Sequence, residues 1–153
     1  MKAILLDTNL LILLVIGAVD SRWIGRHKRS RAFVISDWQL LLDLVGNKPI
    51  LTTPHILTEA SNLLRKSGIS PFADRRLMAA LADFVASARE EHVPAREVPV
   101  DGIFLRLGLT DAVLHSLARP DVHLITTDFE LYNAALGRHQ PVTNFNHYRD
   151  TTT

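Results

Sequence analysis

The sequence predicts an α/β fold: a central parallel sheet of four to five strands packed between two layers of helices. Three observations predict it. Short apolar runs alternate with helix-period segments, two of those runs end directly on an aspartate, and no linker, repeat or low-complexity stretch divides the 153 residues. One domain over residues 1–150 is expected, since a chain of this size buries enough surface to stand without disulfides or other staples.

The elements follow in order. Residues 3–6 form a short apolar strand ending at Asp7-Thr8-Asn9, side chains that cap helices well, and a helix over 10–16 follows, closed by Gly17. A basic amino terminus before apolar residues also opens a signal peptide. Here Asp7 and Asn9 interrupt the run, and residues 10–19 are too few to span a bilayer, so a buried strand and helix are expected and no membrane partner. After the polar stretch 20–31, residues 32–45 carry apolar side chains in helical rhythm and stop at Gly46-Asn47. Residues 50–53 read as a strand, and Pro54 as the first residue of a helix reaching Gly68. A further helix spans 72–90, and a proline-punctuated connection runs from 92 to 100. An apolar segment 103–107 precedes Gly108. The next helix opens at Leu109-Thr110-Asp111-Ala112, with Thr110 as its cap, and runs to Leu117. Pro120-Asp121 turns into a strand over 122–125. Thr126-Thr127-Asp128 then leads a helix over 130–136, ended by Gly137, and 141–143 suits a last strand.

Composition removes several kinds of chemistry. There is no cysteine, hence no thiolate metal site, no cysteine nucleophile and no need for an oxidising compartment, and a cytoplasmic location is the simplest expectation. Net charge is only +1, so any nucleic-acid partner must be read from local charge. A dinucleotide enzyme would want glycines where Asp7-Thr8-Asn9 stands, a serine hydrolase a Gly-x-Ser-x-Gly elbow, and a haloacid-dehalogenase-type phosphatase an acid at Asn9.

Four acids remain to be explained. Asp7 and Asp128 follow strands, where open α/β sheets place their ligands, and each alone is satisfied as a helix cap. Glu59 and Asp111 sit among apolar residues near helix starts, where a buried carboxylate needs compensation. Their sequence neighbours hold no matching set of lysines or arginines. If folding gathers the four, they must share protons or be neutralised by a cation, and an all-oxygen set suits Mg²⁺ or Mn²⁺. Two such ions together activate water against a phosphodiester.

Leu-Leu-Asp7-Thr-Asn, Pro54-x-x-x-x-Glu59, Leu-Thr-Asp111-Ala and Leu-Ile-Thr126-Thr-Asp128, in this order, resemble the PIN-domain nucleases over nearly the whole chain. The resemblance implies a PIN-like three-layer α/β/α fold, metal-dependent hydrolysis of RNA, and often a homodimer. Many small members are VapC-like toxins restrained by an antitoxin, which implies an endoribonuclease with that partner. Carried over, Asp7, Glu59, Asp111 and Asp128 take the catalytic, metal-binding roles, while Asn9 and Thr126 orient water or an acid. The connection before Glu59 is longer than in compact toxins of this kind. The alternative is a PIN-like module of weak or no activity that binds RNA or a partner.

For the substrate, Arg22, Arg26, Lys28, Arg29 and Arg31 fall within ten residues free of acids and suit phosphate contacts, although such runs often serve only solubility. Trp23 is expected to be buried and His115 to be structural. The tail 144–149 is expected to border the pocket or cover a sheet edge.

Overall fold

The computed structural model describes residues 2–149. Five parallel strands, β1 (Ala3–Leu6), β2 (Ile50–Thr52), β3 (Arg89–Glu90), β4 (Val122–Thr126) and β5 (Val142–Asn144), form one sheet in the order β3-β2-β1-β4-β5. Helices α1 (Thr8–Val19), α2 (Ile35–Val45), α3 (Pro54–Leu64) and α4 (Pro71–Ser87) belong to the crossovers from β1 to β2 to β3. Helices α5 (Gly102–Leu107), α6 (Leu109–Leu117) and α7 (Phe129–Gly137) belong to the crossovers that run the opposite way, and α8 (Phe145–Arg149) follows β5. Right-handed connections therefore put the two helix groups on opposite faces, giving three layers.

Parallel strands covered on both faces must be apolar throughout, and β1 is: Ala3 to Leu6 are all buried. Helix α1 is buried around nearly its whole circumference, with Leu10, Ile12, Leu13 and Ile16 fully enclosed, because it packs beneath α2, α3 and α4 as well as on the sheet. This accounts for the apolar run that resembles a leader. Each such side chain contributes about 1.5–3 kcal/mol when fully buried. Among the described residues no helix is long and apolar enough to cross a membrane.

Several boundaries differ from the expectations. Gly17 lies inside α1 and does not close it. Its missing side chain admits Trp38 of α2: a Cβ built there would stand 2.3 Å from the indole Cδ1. Helix α2 starts at Ile35, where the Asp37 carboxylate accepts from the Val34 N–H at 2.8 Å. The helix expected to reach 90 ends at Ser87, and Arg89–Glu90 pairs with β2 as a short edge strand. Thr110 is inside α6, whose cap is Gly108. The apolar segment before Gly108 forms α5, capped by Asp101, and the tail forms α8.

Candidate functional site

Going from β1 the chain moves toward β2, and going from β4 it moves toward β5, so the order reverses between β1 and β4. A crevice opens at their carboxyl ends, where sheets of this type hold ligands. Asp7 stands at the end of β1, and Thr126, Thr127 and Asp128 at the end of β4.

Asp7 is the best-held of these side chains. It caps α1, its Oδ1 accepting from the Leu10 N–H at 2.9 Å. Its Oδ2 accepts from Thr126 Oγ1 at 2.7 Å, from the Thr127 N–H at 2.8 Å and from Thr127 Oγ1 at 3.3 Å. Burial raises its pKa above the ordinary carboxylate value against the pull of those donors. Oδ2 is thus saturated by donors, while Oδ1 keeps acceptor capacity. Asp128 caps α7, accepting from the Leu131 N–H at 2.9 Å, and its own N–H donates to Thr126 Oγ1 at 3.0 Å. Thr126, fully buried, therefore ties the two aspartates together.

The other two acids come from neighbouring helix starts. Asp111 lies in the first turn of α6, and Glu59 in the second turn of α3, the helix that follows β2. One cleft of about 250 Å³ is lined by Asp7, Thr8, Asn9, Glu59, Asp111, Thr127 and Asp128, so side chains from four distant segments share a single space. Burial, and then the charges of Asp128, Asp7 and Glu59, push the Asp111 carboxyl up to about 7. Among the described residues no lysine or arginine forms an ion pair with any of the four acids. The amino-terminal ends of α1, α3, α6 and α7 offset part of the charge.

The chain gives no match to protein-family models, to curated proteins or to solved structures.

An all-oxygen donor set with excess negative charge and a carboxyl driven toward protonation, by burial first and by its acidic neighbours second, fits a hard divalent cation, which would neutralise the repulsive part. Among the described residues no group of three or more acidic or histidine side chains stands placed to hold a metal ion. Mg²⁺ needs none, because it keeps several waters and uses one or two carboxylates. One or two of Asp7, Asp111 and Asp128, which share the cleft, would hold it. Glu59 differs from its expectation: it is exposed, because α3 turns Ile56, Ala60 and Leu64 inward and leaves Glu59 on the solvent flank of the cleft. Asn9 is exposed and lines the cleft.

Two contributors carried only weak sequence signals. Thr127 donates to Asp7 through both its backbone and its hydroxyl, and its signal was its place in Thr-Thr-Asp. Asn146 of α8 donates to the Thr127 carbonyl at 3.3 Å, so the tail does border the site.

The basic segment lies elsewhere. It starts beyond the carboxyl end of α1, about 18 Å along that helix from Asp7. His27 at its centre is buried, with Nε2 3.2 Å from the Leu64 carbonyl at the far end of α3 and Nδ1 accepting from the Arg29 N–H at 3.0 Å. Arg22 is paired with Asp20 at 2.8 Å, while Arg26, Lys28, Arg29 and Arg31 are exposed. None of the five lines the acidic cleft. Trp23, expected to be buried, is half-buried against the core. His115 lies in α6, where burial lowers its pKa.

Proposed function

We propose that this chain is a divalent-metal-dependent endoribonuclease that hydrolyses RNA phosphodiester bonds, in the manner of the PIN-domain proteins its motifs resemble. The observation that carries the reading is the shared cleft of Asp7, Glu59, Asp111 and Asp128, with no counter-cation from the described residues and the Asp111 carboxyl raised to about 7. Such a cluster is costly to fold unless a cation completes it.

In this reading Asp7, Asp111 and Asp128 hold Mg²⁺ or Mn²⁺, with Glu59 completing the set from the rim. A bound ion of this kind supplies an activated water and neutralises charge growing on the phosphate. The chain's own part is positioning. Thr126 and Thr127 lock the Asp7 carboxylate, leaving Oδ1 for the cleft, and Thr126 fixes the start of α7 and so Asp128. Asn9 at the cleft wall orients water or the phosphate. Hydrolysis joins a water oxygen to phosphorus and breaks one ester bond, and a proton ends on the departing oxygen.

A second copy of the chain and a restraining antitoxin extend the same reading through the resemblance to VapC-like toxins, and a chain without cysteine suits a cytoplasmic location. The test is cleavage of labelled RNA and DNA with Mg²⁺, Mn²⁺ or chelator, beside Asp7→Asn and Asp111→Asn. RNA cleavage that requires metal and disappears in both variants is expected; cleavage that survives both would remove this site from the reaction.

A further inference from the structure

Beside the acidic cleft, on the other side of Glu59, lies a second cavity of about 440 Å³. His55, Thr58 and Asn62 of α3 line it together with His92 and Thr110, and it is open to solvent. Glu59 lines both spaces, and Thr110, which lines only the second, immediately precedes Asp111. Thr53 Oγ1, buried at the start of α3, lies 3.1 Å from His55 Nδ1, which orients the ring and leaves Nε2 for a ligand.

Besides Pro54 and the Glu59 carboxylate at its border with the acids, the lining carries two imidazoles, two hydroxyls and an amide, and neither lysine nor arginine. Such a wall recognises a neutral group with several donors and acceptors rather than a phosphate. The volume falls in the range of small-ligand pockets, about 300–1,000 Å³. Thr58 and Asn62 also line an apolar trough between α3 and α4.

We infer that this cavity is the subsite for the nucleoside adjoining the phosphate held at the acids, its base and ribose contacted by His55, His92, Thr58 and Asn62. The inference rests on the nuclease reading for the placement of that phosphate, but binding tests it separately from cleavage. Imidazole faces stack on bases and their nitrogens bond to base edges, and hydroxyl and amide groups suit the ribose.

The experiment measures anisotropy of a fluorescein-labelled RNA hexanucleotide with Ca²⁺ in place of Mg²⁺, the strand being recovered intact afterwards. Wild type, His55→Ala/His92→Ala, and the exposed-position pair His92→Ala/Asn62→Ala are compared, the second pair guarding against a folding defect at half-buried His55. Both pairs are expected to weaken binding about tenfold, the loss of roughly one good polar contact, with unchanged melting temperature. Wild-type affinity in a folded pair, or no binding by the wild type, overturns the subsite. Histidine-dependent binding by a protein that cuts no RNA upholds the subsite and sinks the nuclease reading.

Discussion

Thr126 Oγ1 donates to Asp7 Oδ2 at 2.7 Å, joining the ends of β4 and β1 across 119 residues of chain. The same hydroxyl accepts from the Asp128 N–H. One buried oxygen thus fixes both strand-end aspartates, and the hydrogen bonds are charge-assisted in a space from which bulk water is largely excluded.

Replacing that oxygen by a methyl group tests the arrangement. Thr126→Val keeps the shape but leaves Asp7 one donor short and the Asp128 N–H without its acceptor, so a loss of about 1–3 kcal/mol is expected in urea unfolding. Thr126→Ser keeps the hydroxyl and should lose only the buried methyl, about 1 kcal/mol. Removing the donor also raises Asp7 further, so Thr126→Val should need more Mn²⁺ for the same thermal shift. Equal stabilities of the valine and serine variants would deny the hydroxyl this role.

The pH dependence has a definite sign. Unfolded, Asp111 ionises near its ordinary 3.8; folded and metal-free, it ionises at about 7. Between those values the native state holds a proton the unfolded chain has released, so this contribution is full below pH 4 and is lost as pH rises to about 7. Asp7 is raised too and acts in the same direction. His27, His115 and His123, lowered by burial, act oppositely, costing stability as pH falls below 6.5. The clean measurement is therefore the difference between wild type and Asp111→Asn in chelator from pH 5 to 8, in which the histidines cancel. Wild type should lose ground against the variant as pH rises; a flat difference would mean that neither burial nor the neighbouring acids raise Asp111.

Gly17 offers a test of the packing of α1. In a solvent-facing helix position, glycine to alanine gains about 0.8–1 kcal/mol. Here the added Cβ would meet Trp38 Cδ1 at 2.3 Å, so Gly17→Ala is expected to cost about 1–3 kcal/mol and to shift the tryptophan fluorescence. A second substitution, Trp38→Leu, should recover part of that loss as a coupling in the double-mutant cycle. A stabilised Gly17→Ala would rule out the close contact.

The sheet and the acids were legible because both leave local marks. A strand ending on a capping aspartate is written twice, at Asp7 and Asp128, and their shared hydroxyl could be suspected from Thr-Thr-Asp. Gly17 misled because glycine ends helices by its freedom and also sits within them by its size, and only the facing Trp38 decides between the two. Arg89–Glu90 gave no strand signal: two charged residues at the end of a helical rhythm become an edge strand only because β2 is beside them. The exposure of Glu59 depends on which face α3 turns inward, and the meeting of His55 with His92 depends on the crossover between them. Neither has a local signature.

The strongest separation between a metal cluster and a set of structural caps comes from Asp111→Asn. Asp111 takes no part in the caps or hydrogen bonds that hold Asp7 and Asp128, and the charged residues that share its cleft are all negative. Neutralising it removes repulsion, so the variant should be more stable than wild type at pH 7.5 in chelator. With Mn²⁺ at a hundred times its dissociation constant, wild type should gain about 2.7 kcal/mol and overtake the variant, which has lost a ligand. A structural carboxylate behaves the other way, because its loss destabilises at every metal concentration. Thermal melts of both proteins across a Mn²⁺ titration decide it: curves that never cross, with the variant always lower, would mean that the four acids were gathered for the fold and not for an ion.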